Sequence, residues 1–254
     1  MKLRINWKKV TYILLDTVLA GYLLLAVTAF NKPDESAFKC QRVEIHIGDN
    51  LTDGFLTPTE VKHILTKHKL YPLGQQMSSV NTRAMEELLF ANPFVQTAEC
   101  FKTQNGQVVV SLTQRMPIIR VKNDAGKDFF IDETGSIMPK GRYTTDLIVA
   151  TGHISESYAR KYLTEIGNVI VHDPFWQNQV EQLYVLPDGS LELVPRVGDH
   201  IVGLGAPENI EGKLDRLRKF YQYGLNQVGW NKYSYISVEF NNQIICKRKD
   251  KTKK

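Results

Sequence analysis

The stretch VTYILLDTVLAGYLLLAVTAF, residues Val10–Phe30, is apolar over the thickness of a membrane. A helix rises about 1.5 Å per residue, so this run reaches roughly 30 Å, which matches a hydrocarbon core. Four basic residues and no acid precede it, whereas the first lysine beyond it is followed closely by two acids. By the positive-inside rule, the N-terminus stays in the cytoplasm and the rest is exported. The sequence therefore predicts a cytoplasmic end (1–9), one helix through the plasma (inner) membrane (10–30) and an extracytoplasmic remainder.

Asp16 places one acid within this run. A charge at the centre of a bilayer costs about 2.5–3.5 kcal/mol, and the cost falls towards the cytoplasmic face, where Asp16 is predicted to lie. Acids within membrane helices often contact another helix. Asp16 is therefore a candidate intramembrane contact, with a tolerated acid near the interface as the alternative.

A cleaved signal peptide is the alternative for the whole run, because Val27-Thr28-Ala29 resembles a small-residue cleavage site. The run is longer than a signal core of about 7–15 residues. Phe30 and Pro33 also make a poor context for cleavage. The sequence therefore favours an uncleaved anchor.

The net charge of +5 comes from the two ends of the chain. The tail Lys247–Lys254 (KRKDKTKK) carries six basic residues and one acid, and the first nine residues carry four basic residues and no acid. The chain between them is mildly acidic, so the charge does not support nucleic-acid binding. The tail is predicted to be a solvated, disordered end, with weak attraction to anionic lipid or wall polymer as the alternative.

Cys40, Cys100 and Cys246 are too few, and odd in number, for a disulfide framework. One pair could form in an oxidising compartment. The sequence does not choose among the three pairings, or between a pair and three reduced thiols.

The exported chain begins, after a linker over 31–39, with a segment over 40–115 that has the order strand, helix, helix, strand, strand. Thr57-Pro58 is typical of a helix start, Asn81 of a second helix cap, and Asn105-Gly106 of a hairpin turn. The predicted elements are strand Cys40–Ile47, a helix to about His68, a helix carrying Met85, Leu88 and Leu89 and ending before Pro93, and strands Val95–Lys102 and Gln107–Leu112.

The segment over 116–246 is dominated by short strands and tight turns, with two helices among them. Ser155 caps the first helix, which carries apolar residues from Tyr158 to Ile170, and the second covers Lys213–Leu225. The predicted strands are Pro117–Val121, Phe129–Ile131, Ser136–Met138, Leu147–Ala150, Val180–Leu186, Ser190–Val194, His200–Leu204, Tyr235–Phe240 and Gln243–Cys246, the last two joined around Asn241-Asn242. The predicted fold class is α+β.

No catalytic or metal-binding pattern is present in the sequence. His63 and His68 lie five residues apart and diverge on a helix, and they are predicted to be surface residues. Gly205–Lys213 (GAPENIEGK) lacks the spacing and the Ser/Thr of a phosphate loop, so it is predicted to be a strand end and a loop before a helix. The sequence predicts no cofactor, no metal, no small-molecule substrate and no enzymatic activity.

The order of elements resembles the bacterial cell-division protein family FtsQ (DivIB), whose members carry one membrane span, a POTRA domain and a β domain. Six stretches carry the resemblance: Ala91–Val95 (ANPFV), Gln114–Ile118 (QRMPI), Phe130–Ile137 (FIDETGSI), Val149–Gly152 (VATG), Val202–Gly205 with Lys213-Leu214 (VGLG and KL) and Tyr235–Phe240 (YISVEF). The last stretch departs from the family, because Glu239 stands where the family has a base.

The resemblance implies a non-enzymatic divisome scaffold at the septum that recruits the FtsB–FtsL coiled-coil pair, helps to control septal peptidoglycan synthesis and uses its POTRA-like domain for other divisome membrane proteins. An unpaired edge of the terminal strand could accept a strand from the partner. Ile236 and Val238 are predicted to fill the core. The predicted partner surface is Tyr235, Ser237, Glu239, Phe240, Asn241 and Gln243.

Two other classes of protein remain as alternatives. A POTRA-bearing factor for polypeptide transport or outer-membrane assembly typically carries several POTRA units, whereas one is predicted here. An exported cell-wall enzyme would need a nucleophile, an acid pair or a metal cluster, and the sequence shows none of these.

Overall fold

The computed structural model describes residues 7–30, 38–48, 55–140 and 146–249. The first element is helix α1 (Trp7–Phe30), and its segment Lys8–Ala26 is long and apolar enough to cross a membrane. The predicted end at 1–6, the linker residues 31–37 and the tail residues 250–254 lie outside the described part of the chain.

The described chain divides into two compact units. The first takes in the chain up to His46 together with Pro58–Leu89 and Ala98–Leu112. The second takes in the segment Ile47–Thr57, the segment Phe90–Thr97 and the chain from Thr113 onward.

A three-stranded sheet and two helices account for most of the first unit. The strands are β1 (Arg42–Ile47), β2 (Val95–Lys102) and β3 (Gln107–Gln114), and they lie in the order β1-β3-β2. The helices are α2 (Pro58–Lys67) and α3 (Thr82–Phe90), with a short 3-10 turn at Met77–Ser79 between them. The predicted order of strand, helix, helix, strand, strand is therefore present.

Local sequence signals explain how these elements begin and what they bury. The side chain of Asn81 accepts a hydrogen bond from the amide of Ala84 (3.0 Å) and so caps α3. Met85 and Leu89 on α3 are fully buried, whereas Leu88 is half-buried. Gly106 has a φ of 71°, as the predicted hairpin turn requires. His63 and His68 are exposed, as predicted.

The three cysteines are free thiols in the structure. Cys40 and Cys100 are buried, and Cys246 is half-buried. Burial, with a smaller contribution from the nearby Glu86 carboxylate, raises the pKa of Cys100 to about 12. The buried thiols therefore stay protonated and behave as small apolar side chains.

The second unit is built on a nine-stranded sheet in the order β12-β11-β10-β9-β8-β7-β4-β5-β6. Its strands are β4 (Pro117–Asn123), β5 (Asp128–Asp132), β6 (Ile137–Pro139), β7 (Ile148–Gly152), β8 (Val180–Val185), β9 (Leu191–Pro195), β10 (Ile201–Gly205), β11 (Tyr233–Ser237) and β12 (Ile245–Arg248). The pairs β4–β7, β7–β8 and β10–β11 are parallel, and the other five pairs of neighbouring strands in this sheet are antiparallel.

Two parallel crossovers place the helices of this unit on one face of the sheet. Between β7 and β8 the chain forms α4 (Glu156–Tyr158), a π-helical turn, α5 (Thr164–Val171) and α6 (Pro174–Gln179). Between β10 and β11 it forms α7 (Ile210–Phe220), a second π-helical turn and α8 (Asn226–Val228). Side chains from both crossovers share one core, in which the rings of Trp176 and Tyr221 lie 6.1 Å apart.

An ion pair explains two of the motif stretches. Arg115 donates to the Asp132 carboxylate at 2.9 Å, and both side chains are largely buried. Asp132 also accepts from the backbone of Thr134 and Ser136, which closes the turn before β6. Burial raises the pKa of Asp132, but hydrogen bonds from Thr134, Arg115 and the backbone outweigh it, so the pKa is lowered. The buried carboxylate is thereby kept ionised.

Several predicted boundaries in the second unit were wrong. The strand predicted at Tyr235–Phe240 runs over Tyr233–Ser237, and the one predicted at Gln243–Cys246 runs over Ile245–Arg248. Asn241-Asn242 is thus part of a longer connection, 238–244, and not a tight hairpin turn. The sequence also missed α6, which Asp173 caps by accepting a hydrogen bond from the amide of Phe175 (3.0 Å).

Candidate partner-binding site

Of the last two strands of the chain, β11 lies in the interior of the sheet. β11 pairs with β10 on one side, where Tyr235 lies opposite Ile201, and with β12 on the other. The strand at the edge is therefore β12, so within the terminal segment Tyr235–Cys246, for which an unpaired edge was predicted, only the part in β12 lies at the edge.

The alternation of β11 separates its core residues from its surface residues. Ile236 and Val238 are fully buried against the helices, as predicted. Tyr235 and Ser237 are half-buried and, by the period of two, lie on the opposite face. Tyr235 lies over Gly203 of β10, where any Cβ atom would come within 2.2 Å of the tyrosine hydroxyl. Burial, then the Glu192 carboxylate, raises the pKa of Tyr235 to about 12.

The other four predicted site residues lie in the 238–244 connection, and all four are exposed. The exposed fraction of Phe240 is 48%, which is large for an aromatic side chain. Glu239 packs its methylenes against Gly205, and its carboxylate interacts electrostatically with the ammonium group of Lys213. Lys213 is buried and donates to the carbonyl of Ala206; burial lowers its pKa, which Glu239 partly opposes. Glu239, with Asn241 and Gln243, thus completes the surface next to Phe240.

A groove of about 610 Å³ separates this connection from α7 and the π-helical turn after it. Arg216 and Lys219 give one wall of the groove positive charge, and Arg216 donates to the carbonyl of Val238 at 2.8 Å. Tyr223, with 71% of its surface exposed, stands on the same wall. The other lining residues are Phe220, Gly224, Asn242, Gln243 and Ile244. The groove is therefore basic and aromatic.

The outer side of β12 pairs with no strand in the described part of the chain. The amide of Lys249 donates to the carbonyl of Lys232 at 3.2 Å, so residue 249 faces β11. Because backbone groups of an antiparallel strand alternate in direction, Cys246 and Arg248 direct their N–H and C=O groups outward. This is the arrangement that an added strand needs. The opposite sheet edge, β6, is short and ends at Pro139, which limits pairing there.

The start of the basic tail belongs to this edge, which corrects the prediction of a wholly disordered end over Lys247–Lys254. Lys247 and Arg248 lie in β12 with exposed side chains. Lys249 pairs with Asp199 at 2.6 Å, just before β10. The C-terminal half of the edge strand is thus positively charged.

Comparison with known protein families shows to which family the chain belongs. Residues 116–247 match the family described as "FtsQ/DivIB, C-terminal related". The chain belongs to the FtsQ/DivIB family. Residues 38–113 match a POTRA-like domain, so the family resemblance and the α+β fold predicted from the sequence are confirmed. A curated relative, the cell division protein FtsQ of Rhodothermus marinus, is 22% identical over 188 residues, which are 68% of each chain.

Membership of the FtsQ/DivIB family gives this chain a role in cell division. The family is one of cell-division proteins and not of enzymes. Among the described residues, no group of three or more His, Cys, Asp or Glu side chains could hold a metal ion. FtsQ/DivIB membership implies interactions with other divisome proteins, and the strand edge of β12 with the groove beside it is the candidate surface for them.

Sequence reasoning missed the half of this site that lies on the helices. Arg216, Lys219, Phe220 and Tyr223 recur at helical spacing within the predicted helix Lys213–Leu225, and that spacing indicates one shared face. It did not indicate that the face lies beside the 238–244 connection. That neighbourhood follows only from the parallel pairing of β10 with β11, which carries α7 across the sheet.

Asp16 of this FtsQ/DivIB chain lies within α1, in the middle of its apolar segment Lys8–Ala26. The neighbouring Thr17 hydroxyl donates to a carbonyl of its own helix, so it is already used within the helix. The structure gives Asp16 no ion pair among the described residues.

Proposed function

We propose that this chain is a non-enzymatic scaffold of the divisome that recruits an FtsB–FtsL-type coiled-coil pair through the outer edge of β12. The observation that carries the proposal is the unpaired, basic edge of β12 beside the exposed Phe240. Its N-terminus lies in the cytoplasm, α1 spans the inner membrane, and the chain after α1 lies outside that membrane at the septum. Through the partner it helps to control septal peptidoglycan synthesis.

Backbone pairing with β12 supplies affinity in this mechanism. A partner strand pairs with the outward N–H and C=O groups of Cys246 and Arg248 and extends the sheet by one strand. The exposed cations Lys247 and Arg248 favour a partner strand with acidic side chains, because opposite charges across a strand pair attract. The same cations discourage a second copy of β12 from pairing there.

The groove next to β12 supplies the choice of partner. Phe240 and Tyr223 expose aromatic surface that a partner would cover. Arg216 and Lys219 stand on the α7 wall, where an acidic side chain of the partner would lie close to them. Aromatic and arginine side chains are the residues that most often dominate the energy of such interfaces.

The edge is tested by comparing Arg248→Pro with Arg248→Ala in the full chain. Proline removes the outward amide donor and is tolerated on an edge strand, whereas alanine removes the same charge and keeps the donor. We expect the affinity for the purified FtsB–FtsL pair to fall at least tenfold in the proline variant relative to the alanine variant. Equal affinities, in two variants with unchanged melting temperatures, would place the partner elsewhere.

Phe240→Lys tests the connection, with Phe240→Leu as its matched control. Leucine keeps an apolar side chain at this exposed position, so it isolates the effect of a charge on the contact. We expect loss of partner binding for lysine and partial retention for leucine, measured by titration with the FtsB–FtsL pair. Unchanged binding by a folded Phe240→Lys variant would remove Phe240 from the interface.

Asp16 carries a second contact in this proposal, with a membrane helix of a partner that offers a hydrogen-bond donor or a cation at the same depth. Asp16→Asn keeps the shape and a hydrogen-bonding side chain, whereas Asp16→Leu removes both. We expect septal recruitment of the partners to fall in the leucine variant and to be retained in the asparagine variant. Normal recruitment by both would make Asp16 a tolerated acid.

A further inference from the structure

A second groove lies on the opposite side of α7, away from β12. It runs between α5 and α7, with α6 at one end, and has a volume of about 490 Å³. Its floor is apolar: Trp176 and Leu214 are almost fully buried, and Val169 is half-buried. Glu211 and Arg218 mark its two ends on α7, about 10 Å apart at 1.5 Å per residue. The groove therefore fits roughly two turns of a partner segment.

The two ends of this groove differ in charge. At one end Arg218 pairs with Asp173, and its guanidinium lies over the rings of Phe175 and Trp176. At the other end Glu211 is exposed and has no ion pair among the described residues. Asp215 forms an ion pair with Lys219 at 2.8 Å. The end near Glu211 is therefore negative, whereas the end near Arg218 is internally neutralised.

Asn168 and His172 are the polar residues that the α5 side contributes to this groove. The amide nitrogen of Asn168 donates to the carbonyl of Glu133 at 3.0 Å, but its Oδ1 is buried and has no partner. His172 Nδ1 contacts the carbonyl of Asn168 at 2.8 Å. A carbonyl only accepts, so Nδ1 is the donor in this contact. Because Asn168 Oδ1 is closed to solvent, the acceptors within reach of an incoming ligand are the exposed carboxylates of Glu211 and Asp215.

We propose that this groove binds a basic segment of another polypeptide, with a lysine or arginine at the Glu211 end and an apolar side chain over Val169 and Leu214. Ammonium and guanidinium groups carry several donors and no acceptor, which complements the exposed carboxylates of Glu211 and Asp215. The surface is separate from β12 and its groove. The chain would thus hold two partner segments of opposite charge at the same time.

The test uses the full chain in mild detergent and two labelled helical peptides of about 15 residues, a length at which isolated helices become stable. One peptide has a lysine stripe beside a leucine stripe, and the other has glutamate in place of every lysine. The groove variant combines Glu211→Gln with Asp215→Asn. The control variant combines Glu99→Gln with Asp124→Asn, which are exposed acids outside the groove and give the same change in net charge.

We expect the lysine peptide to bind the unmodified chain at least tenfold more tightly than the glutamate peptide. Its affinity should fall at least tenfold in the groove variant and less than twofold in the control variant. Arg248→Pro should leave this binding unchanged, so the result does not depend on the β12 proposal.

Three results would overturn the proposal. Equal weakening in the groove and control variants would mean that the peptide senses overall charge and not this groove. No binding of the lysine peptide at millimolar concentration would exclude a basic occupant. A dimer of the unmodified chain in sedimentation, dissociated by the groove variant alone, would assign the surface to a second copy of the chain.

Discussion

Helix α7 presents two different grooves to solvent, and they differ in charge and in how their apolar residues are held. Towards α5 it places Glu211 and Asp215 above the buried side chains of Trp176 and Leu214. Towards the 238–244 connection it contributes the cations Arg216 and Lys219, beside Tyr223, which is mostly exposed. The first groove has a charged rim above buried core side chains, whereas the second groove exposes aromatic surface to solvent.

The period of the helix explains how one short element carries both surfaces. Residues three or four apart are neighbours on a helix, so Glu211 and Asp215 adjoin one groove and Arg216 and Lys219 adjoin the other, with the Asp215–Lys219 ion pair on the solvent-facing surface between the grooves. Lys213 and Leu217 lie between them and face the sheet, where both are buried. The sequence of α7 thus predicts where its acidic and basic side chains lie around the helix. Which groove each charge adjoins depends on the strands that α7 joins.

The largest expected effect tests whether the floor of the acidic groove is core. Trp176→Ala should lower the free energy of unfolding by about 3–5 kcal/mol, because it removes a buried aromatic ring and leaves a cavity. Tyr223→Ala should change it by less than about 0.5 kcal/mol, because the ring is exposed. Urea unfolding of the full chain in detergent, followed by circular dichroism, measures both. Similar losses of unfolding free energy in the two variants would contradict the distinction between a groove with a buried core floor and a groove with an exposed aromatic wall.

The second effect concerns the neutralised end of the acidic groove. Asp173 caps α6 and pairs with Arg218, so Asp173→Ala should cost about 1–2 kcal/mol at neutral pH. Burial raises the pKa of Asp173, but hydrogen bonds from Arg218 and the backbone lower it more, so the folded pKa lies below the unfolded value near 3.9. The stabilisation is therefore complete above that pH and is lost as the pH falls through the folded pKa.

The measurement for Asp173 is the difference in unfolding free energy between the two chains from pH 7 down to pH 2. We expect the difference to be constant to about pH 4 and then to shrink. Asp173→Asn serves as the control, because it keeps a capping side chain without the charge. A difference that grows in acid would mean that Asp173 is not stabilised as a carboxylate.

Sequence patterns predicted the strands and helices wherever alternation or helical period was strong. The alternation in β11 predicted that Ile236 and Val238 are buried, and Asn81 and Ser155 cap helices as predicted. β12 was misplaced because its residues ICKR show no clear alternation and blend into a basic tail. Its pairing with β11 and the contact of Lys249 with Asp199 define it, and both are long-range.

The candidate site was predicted only in part, for a related reason. Phe240, Asn241 and Gln243 are exposed beside the sheet edge, so they remain candidates, although the edge itself belongs to β12. Tyr235 instead lies over Gly203 in the interior of the sheet. Both grooves require two crossovers to place their helices on one face, and no local pattern encodes that arrangement.

The third effect separates the two grooves by charge reversal. Lys219→Glu should weaken binding of the FtsB–FtsL pair about tenfold, roughly 1.4 kcal/mol, and leave the lysine peptide unaffected or slightly favoured. Asp215→Lys should weaken binding of the lysine peptide about tenfold and leave binding of the FtsB–FtsL pair unaffected or slightly favoured. Parallel titrations of both ligands on both variants measure this. Loss of both ligands in one variant would show that α7 carries one shared surface and not two.

The smallest expected effect concerns the ion pair that links the grooves across α7. Asp215 and Lys219 form an exposed i,i+4 pair at 2.8 Å, so a double-mutant cycle to alanine should give a coupling of about 0.3–0.5 kcal/mol. The coupling should vanish in 1 M salt, where the screening length is about 3 Å. Because this pair contributes so little to the fold, tenfold changes in binding from either residue would arise from the partner. A coupling above about 1 kcal/mol would instead make the two grooves interdependent through α7.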